Sequence, residues 1–92
     1  MMQATKIKMN SGYHNSTKCQ DIDSIYLTGA KEEKFYPKGV LHDFLKTSPK
    51  SIKVNLSPYP FLVHATSPKG EKYVRSEADD TLNDNLLRLP RV

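Results

Sequence analysis

Apolar and polar residues alternate in several short stretches of the chain. Residues 4–9 alternate in this way, and in residues 52–56 the side chains of Ile52, Val54 and Leu56 alternate with polar ones. This period of two is typical of a strand that has one face in the core and the other in water. The pattern therefore predicts strands over residues 4–9 and 52–56.

Residues 61–66 and 72–76 predict two further strands, joined as an antiparallel hairpin. Residues 67–70 have the side-chain preferences of a type I turn, with Ser first, Pro second and Gly fourth. If this turn closes the hairpin directly, Val63 lies opposite Val74 and both face the core. A bulge would shift the register by one residue and exchange the two faces. Both registers are compatible with the sequence.

Residues 22–28 are rich in β-forming side chains. This composition favours a strand, although a single turn of helix is compatible with the same residues. Residues 13–20 are polar and have no period, which predicts a loop that contains His14 and Cys19.

One stretch has the period of an amphipathic helix. Its apolar stripe consists of Val40, Leu41, Phe44 and Leu45. These spacings of one, three and four residues place the four side chains on one helical face. A proline suits the first position of a helix, so the helix is predicted to begin at Pro37. It ends by Thr47, because Ser48 precedes a proline and is disfavoured in the α conformation.

A leucine-rich segment follows an acidic bend near the end of the chain. In the bend, residues 77–84, Asp and Asn side chains are expected to bond their own backbone. Terminal residues fray unless something holds them. Leu86, Leu87 and Leu89 are therefore expected to pack onto the body of the domain.

These elements predict a single α+β domain over residues 1–92. An apolar content of 37% and a charged content of 26% suit one soluble core, and the chain is too short for two. We expect an antiparallel sheet of four to five strands, built mainly from residues 51–76 together with the N-terminal strands. The helix should cover one face of this sheet, and the C-terminal leucines should close an edge or end of the core.

Positive charge is concentrated in residues 46–75. This stretch has six Lys and Arg residues against one acid, Glu71, within a net charge of +4. A basic surface attracts phosphate, and a tyrosine beside it can stack on the bases of a single strand. The simpler interpretation is that these side chains form the solvated faces of strands. The residues that would contact nucleic acid are Lys46, Lys50, Lys53, Tyr59, Lys69 and Lys72.

The sequence contains no recognisable catalytic or metal-binding motif. It has no phosphate-cradling glycine loop and no G-x-S-x-G motif. His14 and Cys19 have no further ligand at a zinc spacing, and His42 and His64 lie in different predicted elements. The acidic bend lacks the glycine and glutamate offsets of a calcium loop. We therefore expect no enzyme, no metal and no cofactor, and each histidine should be an exposed or half-buried polar residue.

The single cysteine, Cys19, excludes an internal disulfide. Residues 1–16 are polar and do not resemble a secretion signal, and no apolar run approaches the roughly eighteen residues that a membrane span needs. We therefore expect a soluble, cytoplasmic protein that does not insert into a membrane.

Both ends of the chain carry short motifs. Residues 70–76 read G-E-K-Y-V-R-S, residues 84–90 read D-N-L-L-R-L-P, and residues 11–15 read S-G-Y-H-N. Together they resemble a family of small bacterial proteins known as a domain of unknown function, with the signature G-x-x-Y-[VL]-[RQ]-T and then D-N-L-x-x-L-P at the C-terminus. Ser76 stands where that family usually has Thr. The matching signature residues are Tyr73, Arg75, Asp84, Asn85, Leu86, Leu89 and Pro90. The resemblance implies that these residues are structural, and it brings no activity, substrate or cofactor.

The sequence favours a non-catalytic binding or interaction module that has a protein partner. The alternative hypothesis is a nucleic-acid-associated accessory protein that uses the basic surface of residues 46–75. Binding to phosphates weakens steeply as the salt concentration rises, but a non-specific attraction would weaken in the same way. The discriminating variants are therefore Tyr59→Ala and Lys53→Glu, because a single-strand binder should respond to the tyrosine change and an incidental polyelectrolyte only to the charge change.

Overall fold

The computed structural model describes residues 1–57, 59–77 and 85–92 of the chain, and it confirms the α+β fold class. The strands are β1 (Met2–Met9), β2 (Ile22–Thr28), β3 (Phe35–Pro37), β4 (Ile52–Val54), β5 (Leu62–Thr66) and β6 (Lys72–Ser76). One α-helix within these ranges, α1 (Lys38–Thr47), follows β3, and short 3-10 helices span Cys19–Asp21 and Asn85–Arg88. Residues 22–28 therefore form a strand and not a helical turn.

Strands β1 to β4 form one sheet in the order β3-β2-β1-β4. The first three strands are antiparallel to their neighbours, but β4 runs parallel to β1, with Met2 beside Ile52 and Ala4 beside Val54. The prediction of a wholly antiparallel sheet was wrong in this respect. The chain passes from β3 to β4 through α1, and a helical crossover of this kind is the connection that parallel strands require.

Strands β5 and β6 form a second, two-stranded sheet. An isolated antiparallel bridge between Lys53 and Phe61 links this hairpin to β4. Residues 51–76 are therefore divided between two sheets, where the sequence predicted one.

The turn of the β5–β6 hairpin contains a glycine bulge. The Gly70 N–H donates to Ser67 O and the Ser67 N–H donates to Glu71 O, both at 2.9 Å. Gly70 has φ of +85°, a conformation that side chains with a Cβ rarely adopt. A type I turn followed by a glycine bulge fits the twist of the strands better than a two-residue type I turn does.

This bulge sets the register of the hairpin. Leu62 lies opposite Ser76, and Val63 lies opposite Arg75. The direct register, with Val63 opposite Val74, was wrong, and the shifted register is the one that forms. Leu62 and Val74 are buried as a result, whereas Val63 is only half-buried.

A bulge also adjusts β1. Ala4 and Ile7 are both fully buried, although strict alternation would place them on opposite faces. The pairing of β1 with β2 shifts between Ala4 and Lys6, and the extra residue returns Ile7 to the core side, opposite Ile25.

The bounds of α1 differ slightly from the predicted ones. Pro37 has extended backbone angles and caps the helix, so the first helical residue is Lys38. The helix ends at Thr47, as predicted, and the Ser48 N–H donates to Phe44 O at 2.8 Å.

The apolar stripe of α1 is only partly buried. Leu41 and Leu45 are 2% and 1% exposed, whereas Val40 and Phe44 are 54% and 37% exposed. His42, predicted to be exposed or half-buried, is instead buried with 5% exposure. The helix therefore turns Leu41, His42 and Leu45 inward and leaves the other half of its stripe in contact with water.

One hydrophobic core joins both sheets, α1 and the C-terminal segment. It lies between one face of the four-stranded sheet and a layer formed by α1 and the β5–β6 hairpin, which pack closely together. The other face of the sheet, called the outer face below, points away from this core.

The C-terminal segment closes the core, as predicted. Leu86, Leu87 and Leu89 are 0%, 9% and 4% exposed. The Ile7 N–H donates to Pro90 O at 2.9 Å, so the segment continues the sheet beside β1. The predicted acidic bend falls mainly on residues 78–84, outside the described ranges.

Candidate functional site

An apolar groove lies beside α1, at the edge of the sheet formed by β2 and β3. Its volume is about 230 Å³. The side chains that line it are Met2, Leu27, Ala30, Lys31, Tyr36, Val40, Leu41 and Phe44. Seven of these eight residues are apolar or aromatic, so the α1 groove can hold an apolar group and offers few hydrogen-bond partners.

One wall of the α1 groove is fixed by polar contacts outside it. The Tyr36 hydroxyl donates to Glu32 O at 2.6 Å, and Lys34 Nζ lies 5.4 Å from the centroid of the Tyr36 ring. Lys34 also forms an ion pair with Glu32 at 3.0 Å. The hydrogen bond and the charge of Glu32 raise the pKa of Lys34. These contacts hold the Tyr36 ring in place before any ligand binds.

The α1 groove was not predicted from the sequence. Helical spacing placed Val40 and Phe44 on the same apolar face as Leu41 and Leu45. Spacing gives the face on which a side chain lies, but it does not show whether a neighbouring element covers that side chain. The groove also includes Ala30 and Lys31, from the loop between β2 and β3, and no periodic signal specifies the path of that loop.

The predicted basic surface is divided between two sides of the molecule. Lys53 alternates with the buried Ile52 and Val54, so its side chain lies on the outer face. Lys72 Nζ lies 3.1 Å from the carboxylate of Asp43 on α1, and α1 packs on the core side. Lys53 and Lys72 therefore do not belong to one continuous patch.

The other residues of the predicted basic surface are exposed. Lys46 is in the last turn of α1 and Lys50 follows the helix. Lys69 is in the hairpin turn, and Tyr59 is 52% exposed with φ of +59°. The Tyr59 N–H donates to Leu56 O at 2.7 Å, so this tyrosine belongs to a turn and not to a sheet face.

The outer face carries lysines next to aromatic rings. Lys6 Nζ lies 4.5 Å from the centroid of the Tyr26 ring, and the Tyr26 and Phe35 rings meet edge to face at 5.2 Å. Lys53 Nζ lies 5.4 Å from the centroid of the Phe61 ring. Lys6 is exposed and the other four side chains are half-buried. The sequence reasoning assigned only Lys53 of these five residues to a nucleic-acid surface, because the five residues come from five separate segments that only the fold brings together.

A polar cluster joins α1 to the hairpin. His42 Nδ1 is 3.1 Å from Asp43 Oδ1, and His42 Nε2 is 3.4 Å from Thr66 Oγ1. The His42 and His64 rings, predicted to lie in different elements, meet edge to face at 5.1 Å. The hydrogen bond from His42, and after it the hydrogen bond from Lys72, lower the pKa of Asp43. The cluster orients the helix against β5 and β6.

The signature residues of the C-terminal strand and segment have contacts within the fold. Tyr73 is half-buried against the core, and Arg75 donates to Ser76 O at 3.3 Å. Asn85 is fully buried, and its side-chain amide donates to Leu56 O at 3.4 Å and to Ser57 O at 3.2 Å. Asp84 lies outside the described residues.

The N-terminal motif meets the C-terminal segment. Tyr13, His14 and Asn15 are exposed, and the Arg91 guanidinium donates to His14 O at 2.6 Å and to Leu87 O at 3.0 Å. Cys19, in the predicted loop, is buried in the 3-10 helix beside β6.

In residues 1–57, 59–77 and 85–92, no three His, Cys, Asp or Glu side chains are placed to hold a metal ion together. Within the same part of the chain, no helix is long and apolar enough to cross a membrane.

Comparison with known proteins identifies the family. No curated protein and no solved structure matches the chain. The sequence model of the DUF3892 family, described as a protein of unknown function, matches residues 3–90. This match covers α1, the C-terminal leucines and all the strands except Met2 at the start of β1. The chain therefore belongs to the DUF3892 family of proteins of unknown function.

Proposed function

We propose that this protein is a non-catalytic interaction module of the bacterial cytoplasm, and that it binds an apolar segment of a protein partner in the α1 groove. The single cysteine and the absence of catalytic motifs from the sequence support this proposal. The resemblance of both chain ends to small bacterial proteins supports the bacterial source.

One observation carries the proposal. Val40 and Phe44 are large apolar side chains, yet they are 54% and 37% exposed beside a groove that is lined almost entirely by apolar residues. The core is complete without them, because Leu41 and Leu45 fill the space between α1 and the sheets. Adjoining exposed apolar residues of this kind mark interaction sites on soluble proteins.

The margin of the α1 groove indicates the character of the partner. Lys31 lines the groove and, in the described part of the chain, forms no ion pair with a carboxylate. A partner segment with an apolar side chain for the groove and an acid for Lys31 would match this surface in shape and charge.

The proposal is tested by photocrosslinking from the groove. A photoreactive amino acid at Val40 should crosslink one defined partner in cell extract, and Phe44→Ser should reduce the yield on the order of tenfold, as loss of an aromatic anchor does. Lys46→Ser is the matched control, because Lys46 is exposed on the same helix and does not line the groove. Equal loss in both variants, or crosslinks to many unrelated proteins, would contradict a specific site.

A second candidate function, binding of single-stranded nucleic acid, is favoured by the outer face. Single-strand binders combine lysines that follow the phosphates with aromatic rings on which bases stack. Lys6 and Tyr26 provide such a combination on the four-stranded sheet, and Lys53 provides another with Phe61, which is bridged to β4. Apart from Asp23 in a bulge, the outward positions of β1, β2 and β4 carry no acid.

The second candidate is tested with a labelled oligonucleotide. Lys53→Gln should weaken binding more than Lys46→Gln, because both remove one charge but only Lys53 lies on the outer face. Equal effects of the two substitutions would indicate a non-specific attraction to the positive chain.

A further inference from the structure

We propose that the protein has a second ligand site, where the C-terminal segment meets the loop of residues 12–18, and that this site binds a small phosphate monoester. The site is a concavity of about 180 Å³ lined by Thr17, Leu87, Arg88 and Arg91. It is separate from the α1 groove, so the inference goes beyond the proposed function. We call it the arginine site.

Arg91 is fixed in position before any ligand binds. Its guanidinium is half-buried and donates to His14 O at 2.6 Å and to Leu87 O at 3.0 Å. Its backbone is held as well, because residue 91 forms a parallel bridge with Ile7 on β1. A guanidinium has five N–H donors in a rigid plane, so these two contacts leave donors available to a ligand.

The positive charge at this site is not balanced by the described part of the chain. In residues 1–57, 59–77 and 85–92, neither Arg88 nor Arg91 forms an ion pair with a carboxylate. The adjoining concavity shares Thr17 and adds Lys18, and its one acid, Asp21, accepts a hydrogen bond from the Ser16 hydroxyl at 2.5 Å. Among the residues that the structure describes, two arginines therefore face the site without a neutralising partner.

The chemistry of these side chains selects the ligand. Guanidinium groups bind phosphate through paired, charge-assisted hydrogen bonds, and a hydroxyl such as that of Thr17 can donate a further one. A phosphate monoester carries close to two negative charges near neutral pH and three terminal oxygens. Two cations match this dianion better than they match a singly charged diester, and a concavity of this size suits one phosphate group.

The experiment titrates the complete chain with inorganic phosphate, phenyl phosphate and dimethyl phosphate and follows backbone amide signals by NMR. We expect saturable shifts for the first two probes, centred on residues 14–18 and 87–91, and at least about tenfold weaker binding of the diester. Arg88→Gln should weaken binding of phenyl phosphate about tenfold, the loss expected for one charge-assisted hydrogen bond. Arg88 is exposed and its side chain forms no ion pair within the described residues, so this variant should fold normally.

Lys46→Gln is the matched control, because it removes the same charge from an exposed position on α1. Equal weakening by Lys46→Gln and Arg88→Gln, or shifts spread evenly over the surface, would overturn the site and indicate general charge attraction. Binding of dimethyl phosphate as tight as that of phenyl phosphate would overturn the preference for a monoester. Arg91→Ala is not used as the deciding variant, because Arg91 also ties the loop to the C-terminal segment.

Discussion

The C-terminal segment and α1 both carry short apolar stripes, but the fold uses them differently. Leu86 and Leu89 are 0% and 4% exposed, and the segment that carries them pairs with β1. In α1, Leu45 is 1% exposed while Phe44, its neighbour in the same stripe, is 37% exposed. Burial in the core accounts for every leucine of the C-terminal segment, but on α1 it accounts only for Leu41 and Leu45. The exposed apolar side chains of α1, Val40 and Phe44, are therefore the better guide to function.

The largest expected effect is the loss of the C-terminal segment. Deletion of residues 85–92 removes three buried leucines, each worth about 1.5–3 kcal/mol, from a domain whose stability is on the order of 5–15 kcal/mol. We expect the cooperative melting transition to disappear, as measured by circular dichroism. Deletion of Val92 alone, which is 59% exposed, should preserve the transition. A deleted form that melts like the full chain would remove the contrast between the two stripes.

The comparison within α1 comes next in size. Leu45→Ala should lower the free energy of unfolding by about 2–5 kcal/mol, because it opens a cavity in the core. Phe44→Ala should cost about 1–2 kcal/mol, less than Leu45→Ala, since Phe44 is 37% exposed and buries only part of its side chain. Chemical denaturation of both variants measures the difference. Equal losses would show that Phe44 belongs to the core and would weaken the proposal for the α1 groove.

A third prediction concerns the polar anchor of the C-terminal segment. Asn85 is fully buried and its side-chain amide donates to Leu56 O and Ser57 O, so Asn85→Ala removes two hydrogen bonds that tie the segment to residues 56 and 57. We expect a loss of about 1–3 kcal/mol in the free energy of unfolding. Asn55→Ala, at an exposed position, should change it by less than about 0.5 kcal/mol. If Asn85→Ala leaves the free energy of unfolding unchanged, the leucines alone hold the segment.

The sequence predicted those parts of the fold that depend on local period. Alternation identified β1 and β4, the turn residues between two strand-forming stretches identified β5 and β6, and the spacing of Leu41 and Leu45 identified α1. The sequence did not predict that β4 runs parallel to β1 or that the hairpin forms a separate sheet. Both features depend on the position at which the chain leaves α1, and no local pattern specifies that position. The hairpin register depended on one backbone angle, at Gly70, which the turn residues allowed but did not require.

The candidate sites were less accessible to sequence reasoning than the fold. The α1 groove exists because no element of the described fold covers Val40 and Phe44 fully. The arginine site depends on contact between residues far apart in the chain, such as His14 and Arg91. The basic surface of residues 46–75 was inferred from charge along the sequence, and folding separates Lys53 from Lys72. Charge density along a chain does not specify a patch when neighbouring strands face different ways.

The smallest expected effect is a pH-dependent one, at the polar contact between α1 and the hairpin. The hydrogen bonds from His42 and Lys72 hold the pKa of Asp43 below its ordinary value of 3.8, so folding favours the charged carboxylate. A group with a depressed folded-state pKa stabilises the fold above its ordinary pKa, and the contribution is lost as the pH falls through the folded-state value. Asp43→Asn should therefore be slightly less stable than the parent chain at neutral pH and equal to it well below pH 3.8.

Because Asp43 is exposed and water screens its charge, this difference should be much smaller than that of Leu45→Ala. Chemical denaturation of the parent chain and Asp43→Asn at both pH values measures it. Asp23→Asn, at an exposed site for which no ion pair is found in the described residues, is the matched control and should differ less from the parent. A loss for Asp43→Asn as large as that of Leu45→Ala would mean that polar contacts, and not the buried leucines, hold α1 in place. The exposure of Val40 and Phe44 would then no longer show that they are free to serve a function, because burial of leucines would not be what holds the helix.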